Sequence, residues 1–172
     1  AEVVRDRHGD MAQLAHLLTQ TKIGRKLVIT DAVFSMDGHV VPLREMLALC
    51  EQHDAWLYVD DAHGFGVLGE QGRGILSHFK SPQPPFDKGG CEAEATSGSP
   101  LCKRGAGGDS AIIEAQPTLN SSRIIYMATL GKAAGVSGAF VAAEQVVIDT
   151  LINHAHSYVY TTATPPALSV AL

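Results

Sequence analysis

The chain has 172 residues, the size of one ordinary domain, and 45% of them are hydrophobic, enough to build a core. Its formal net charge of −5, with no long run of Lys or Arg, speaks against a phosphate-backbone partner, so no nucleic acid is expected. No apolar stretch is long enough to span a membrane and no signal-peptide pattern opens the chain. Three cysteines at spacings that match no zinc or redox motif read as reduced thiols in a cytoplasmic protein, and no metal site is expected.

In chain order, Asp10 is placed to cap a helix with Met11, Leu14, Leu17 and Leu18 on one face, ending near Thr19. KLVIT (26–30) reads as a buried strand, and the loop that follows turns at Asp37-Gly38. Pro42 stands near the start of a second helix, on which Leu43, Met46, Leu47 and Cys50 recur at helical spacing. AWLYVD (55–60) is the next strand. From about 80 to 120 the sequence is rich in Gly and Pro and has no apolar periodicity, which predicts a flexible surface insertion that includes Cys91 and Cys102. Strands follow at RIIYMA (123–128) and SGAFVAA (137–143), then a helix from Glu144 to His154, an extended SYVYTT, and a helix start at Pro165-Pro166. Ala1 in place of Met, and a helix beginning so near the end, give the expectation of a piece of a longer chain.

Strands alternating with amphipathic helices predict an α/β domain with a mostly parallel sheet, in which ligands gather at the carboxyl ends of the strands. Three polar loops follow strands here. They hold Ser35, then Asp60 and His63, then Thr129 and Lys132.

The middle loop, DDAHGFGVLG (60–69), contains a G-x-G-x-x-G at Gly64, Gly66 and Gly69. A dinucleotide loop needs its third glycine in the first turn of a helix whose N-terminus holds the pyrophosphate. EQGRGILSHF is a poor helix start, and the two preceding acids would repel that charge. The alternative lets the glycines pack closely while the acids and histidine do the chemistry. An Asp at the end of a buried strand is costly to leave unpaired and useful beside a protonated pyridine nitrogen. His63 can reach the phenolic oxygen of such a ring, and Lys132, between Gly131 and Ala133, can form an imine with its aldehyde. Thr129 offers a hydroxyl to a phosphate. Aldehyde, pyridine and phosphate together describe pyridoxal phosphate. Taken singly these residues have plainer readings: a lysine among glycines is usually a solvated side chain, and either acid can simply stabilise a turn.

The stretches VITDAVFSMDGHVVPLREMLALCEQHDAWLYVDDAHGFGVLGEQGRG, ATLGKAAGVSGAFVAA and YVYTTATPPA resemble the α-oxoamine synthases, a family of fold-type I pyridoxal-phosphate enzymes. The resemblance covers nearly everything outside 80–120. It implies the three-layer, mostly parallel sheet of the fold-type I large domain, with an upstream segment and a C-terminal small domain lying outside this chain. It implies that Lys132 binds the cofactor covalently and moves protons at the amino-acid α-carbon, with Asp60 on the ring nitrogen and His63 on the phenolic oxygen. Ser35 would contact the phenolic side and Thr129 the phosphate. Thr161 and Thr162 would reach the phosphate of a partner subunit, in a homodimer with shared active sites. The form of the motifs favours the alanine-using branch, which condenses L-alanine with a pimeloyl thioester, carried on coenzyme A or acyl carrier protein, and releases carbon dioxide and free thiol. A glycine-using relative, a catalytically silent homologue and a dinucleotide-dependent oxidoreductase are the alternatives. Taken alone, this stretch is expected to turn over little substrate.

Overall fold

The computed structural model describes residues 2–22, 24–78, 119 and 121–171. The insertion expected at 80–120, with Cys91 and Cys102, lies outside the described residues except at Leu119.

Helix α1 (Met11–Gln20) begins where Asp10 accepts the Gln13 amide at 2.9 Å, and it buries Leu14 and Leu18. Removing such a cap costs about 1 kcal/mol. Strand β1 (Lys26–Asp31) leads through a looped turn to α2 (Leu43–Gln52), which buries the four residues its spacing picked out, Leu43, Met46, Leu47 and Cys50. Strand β2 (Ala55–Asp60) follows. Its loop ends in a short turn and helix α3 (Ile75–His78). Strands β3 (Ile124–Thr129) and β4 (Ala139–Ala142) complete the sheet. After them come α4 (Gln145–His154), α5 (His156–Val159) and α6 (Pro166–Ala171).

The sheet order is β1-β2-β3-β4, the first three strands parallel and β4 antiparallel to β3. The connection between β3 and β4 is too short for the crossover that a parallel neighbour needs, so the chain can only turn back. The mostly parallel sheet expected from the sequence is therefore present.

Alternation sorts the strands into two faces. Ala55, Leu57, Val59, Ile124, Tyr126 and Ala128 lie under the helices in one continuous core with Leu43, Leu47 and Cys50. The opposite face carries Leu27 and Ile29, paired with Trp56 and Tyr58, and then Ile125 and Met127. Leu27 and Ile29 are 52% and 68% exposed. Asp60 and Thr129 stand at the carboxyl end of this second face, Asp60 in register with Met127.

Two expectations differ: β1, read as a buried strand, has no buried residue because it lies at the edge of the sheet, and one segment changes type. Residues 156–159 of SYVYTT and its preceding histidine form α5 rather than an extended run. The Tyr158 and Val159 amides both donate to the Ala155 carbonyl, and the His156 ring packs edge-on against Tyr160 one turn later. Those local contacts override the strand preference of Tyr and Val.

Candidate active site

The site begins where β2 ends. Asp60 is half-buried, and its Oδ1 accepts the Ala62 amide at 3.0 Å, which bends the chain out of the strand. Asp61, one residue on, falls on the opposite face and is fully buried. Its Oδ2 accepts the Tyr126 hydroxyl and the Ile75 amide, both at 2.7 Å. Burial raises the Asp61 pKa above the ordinary carboxylate value, against the opposing pull of the Ile75 amide, the Tyr126 hydroxyl and the Gly64 amide. Burial also pushes the Tyr126 phenol well up, helped by the hydrogen bond to Asp61 and its charge.

The loop then turns on itself. The Gly64 and Phe65 amides donate to the Asp61 carbonyl, Gly66 donates to the Gly72 carbonyl at 2.7 Å, and Gly74 donates to the Leu68 carbonyl. Gly66 has a φ of +81° and lies against the next strand's loop: a Cβ there would sit 2.5 Å from that of Ala133. Gly74 has a φ of +87°, and a Cβ on it would collide with the Asp61 carboxylate and the Tyr126 hydroxyl. The glycines thus bring backbone against backbone and side chain. Gly69 faces Ser77 and the Gly74 carbonyl rather than open space, and a single 3-10 turn follows it. The dinucleotide reading loses its anion site here.

The second loop follows β3. Leu130 donates to the Gly138 carbonyl and Val136 to the Leu130 carbonyl, closing a compact turn that presents Lys132. The Thr129 hydroxyl donates to the Gly138 carbonyl and accepts the Gly131 amide, each at 3.3 Å. Lys132 and His63 are both exposed, and Lys132 Nζ lies 2.8 Å from His63 Nε2. An amine against an imidazole at this distance can pass or hold a proton, and a solvent-facing amine can add to a carbonyl.

The structure therefore joins Lys132 to His63 and sets Asp60 and Thr129 on one sheet face at the same end. Ser35 is exposed in the turn after β1, at that same end, and makes no side-chain hydrogen bond among the described residues. Thr161 and Thr162 are exposed beyond α5; the Thr161 hydroxyl donates to the Ser157 carbonyl, and neither threonine bonds to the Lys132–His63 pair. A cavity of about 350 Å³ opens beside β1, lined by Arg7, His8, Asp31, Phe34 and His39, and includes none of Asp60, His63 or Lys132. That cavity holds none of the site residues expected from the sequence, and the Lys132–His63 contact lies apart from it.

Asp61 and Tyr126 were not singled out by motif. Strand alternation carried the signal: Ala55, Leu57 and Val59 share one parity, so the next residue of that parity, Asp61, had to enter the core.

A family model for aminotransferases of class I and II matches residues 2–172. The chain belongs to the aminotransferase class I and II family. Within that family it is 50% identical to the 8-amino-7-oxononanoate synthase of Nitrosospira multiformis, over all of this chain and 34% of the relative. It is 48% identical to the enzyme of the same name from Cupriavidus necator, again over all of this chain and 33% of that one. The chain spans about a third of the length of the curated relatives it matches. Among solved structures it resembles an 8-amino-7-oxononanoate synthase from Francisella tularensis, with TM-score 0.63 and 27% identity, covering 99% of this chain and 38% of that one. It also resembles a serine palmitoyltransferase solved with pyridoxal phosphate, with TM-score 0.68 and 24% identity over 99% of this chain and 34% of that one, a likeness of fold alone. The family fold is the mostly parallel sheet of the fold-type I enzymes.

Proposed function

We propose that the protein carrying this chain uses pyridoxal phosphate to condense L-alanine with a pimeloyl thioester, giving 8-amino-7-oxononanoate, carbon dioxide and free thiol carrier, a step of biotin biosynthesis. The observation that carries this reading is the 2.8 Å contact between Lys132 and His63, in a chain that is about half identical along its whole length to relatives named for this activity.

The residues fit the cofactor. A primary amine faces solvent, an imidazole touches it, and a half-buried carboxylate and a threonine hydroxyl stand on one face at the strand ends. When bound, pyridoxal phosphate supplies an aldehyde and a protonated ring that takes up the electron pair released at an amino-acid α-carbon. Lys132 Nζ is the atom that would bond it and then move the proton at the alanine α-carbon. His63 would orient that amine and meet the phenolic oxygen. Asp60 would keep the ring nitrogen protonated, with Ser35 near the phenolic side and the Thr129 hydroxyl at the phosphate.

The chain is read as part of the cofactor-binding large domain of a cytoplasmic homodimer, in which Thr161 and Thr162 serve the phosphate of the neighbouring subunit. Among the described residues no helix is long and apolar enough to cross a membrane.

The test is an amino-acid and acyl-thioester panel on the complete gene product, reading released thiol. Alanine with the pimeloyl thioester should be the best pair, and glycine at equal rate would move the assignment to a glycine-using relative. Lys132→Ala should remove the visible absorbance of the lysine-bound cofactor. A folded, cofactor-supplied parent with no such absorbance overturns the proposal.

A further inference from the structure

The loop that delivers His63 is anchored by a residue that touches neither His63 nor Lys132. Asp61 is fully buried, and a single oxygen, Oδ2, accepts both the Ile75 amide from the far end of the loop and the Tyr126 hydroxyl from the neighbouring strand. Its backbone carbonyl accepts the Gly64 and Phe65 amides from the near end. Gly64 and Gly74 pack so closely on the carboxylate that a Cβ on either would lie within about 2.2 Å of one of its oxygens. The loop is thus tied at entry, at exit and across to β3, the strand that ends in the Lys132 turn.

We infer that Asp61 is a positioning residue, whose doubly bonded Oδ2 fixes the 61–75 loop against β3 and so sets the distance between His63 and Lys132. This rests on the reading of that pair as the reaction centre. A displacement of about 1 Å at a reacting pair is enough to lower a rate on the order of a hundredfold, so an anchor removed from the chemistry has leverage on it.

The geometry also says which substitution should be tolerated. Among the described residues Oδ1 makes no hydrogen bond. An asparagine can therefore put its nitrogen at the Oδ1 position and keep both bonds to the remaining oxygen. If position counts rather than charge, Asp61→Asn should retain most of the wild-type behaviour while Asp61→Ala does not. Tyr126→Phe removes one of the two bonds and should fall between them.

The experiment uses the complete gene product and two readouts. The first is the rate at which an amine-acylating reagent labels Lys132 in cofactor-free protein, located by mass spectrometry. It needs no cofactor chemistry, so it separates failure of this inference from failure of the functional proposal. The second is kcat for thiol release by the loaded enzyme. Asp61→Ala should change the Lys132 labelling rate in the same direction as His63→Ala, and the double variant should match His63→Ala alone, because the anchor acts through the imidazole. Asp61→Ala should lower kcat roughly ten- to hundredfold. Should Asp61→Ala fail to fold, Tyr126→Phe gives the same comparison. Two outcomes overturn the inference: a variant that loses thermal stability yet labels Lys132 as wild type does, or effects of Asp61→Ala and His63→Ala that simply multiply in the double variant.

Discussion

Lys132 Nζ and His63 Nε2 lie 2.8 Å apart, although 69 positions separate them in sequence. Neither side chain is buried, so packing of the two groups themselves does not hold them together. Each is carried on a loop closed by its own backbone hydrogen bonds, and the loops meet because Gly66 has no side chain where it passes Ala133. A contact between exposed groups is thus made definite by the backbone beneath it.

Separate losses are expected when each member of the pair is removed. Lys132→Ala should abolish thiol release and the visible absorbance together, since among the described residues no other lysine touches His63. His63→Ala should leave the absorbance but lower kcat on the order of a hundredfold, as loss of a proton-handling partner does. Parallel absorption spectra and steady-state assays check this; equal loss of absorbance in both variants would contradict the division of roles.

Gly66→Ala should separate the loops without touching an ionisable group. The new methyl would lie 2.5 Å from the Ala133 Cβ on a backbone with φ of +81°, so it meets both an overlap and an unfavourable conformation. Together these cost roughly 2–4 kcal/mol if the loop stays in place. Giving way is easier for an exposed loop than bearing that strain. The expected signature is therefore a modest drop in Tm with a large drop in kcat. Gly38→Ala is the control, because it also has positive φ but meets no atom within 4 Å.

Much of this was readable in the sequence. The faces of α1 and α2 followed from apolar spacing, and β2 was bounded correctly because alternation and the acids at its end agree. That the loops of His63 and Lys132 lie at one end of the sheet followed from a general property of parallel sheets, whereas the direct contact between the two side chains did not. Pairing through space was harder to see. Nothing in DDAHG alone says that the second acid turns into the core to bind a tyrosine on a strand far along the chain. The helix at 156–159 was missed because a ring contact between His156 and Tyr160 decides it, and strand-preferring residues mask that spacing.

The proposed role of Thr161 and Thr162 lies in the partner subunit's site, and within its own chain the Thr161 hydroxyl donates to the Ser157 carbonyl. The combined variant Thr161→Ala/Thr162→Ala should bind pyridoxal phosphate more weakly, and Lys132→Ala should be inactive. Mixed subunits of the two should regain up to about a quarter of wild-type activity, since half the dimers are mixed and each then holds one intact site of two. If mixing restores nothing, the threonines do not act across subunits.

Cys50 gives the fold a base-sensitive point away from the site. Its thiol is fully buried on α2, and burial, then the charge of Glu51, push it up from 9.0 to about 11. The unfolded chain would ionise this thiol near 9.0, whereas the folded chain holds its proton until about 11. Stability from this group is therefore fully present below the unfolded value and is lost as pH rises through that window, since the unfolded state releases its proton first. A shift of this size corresponds to roughly 3 kcal/mol at its limit. Denaturant titrations at several pH values should show wild type losing stability relative to Cys50→Ala above about pH 9, even though the alanine starts lower because it leaves a small cavity. A constant difference between the two across that range would show that the thiol ionises equally easily in both states.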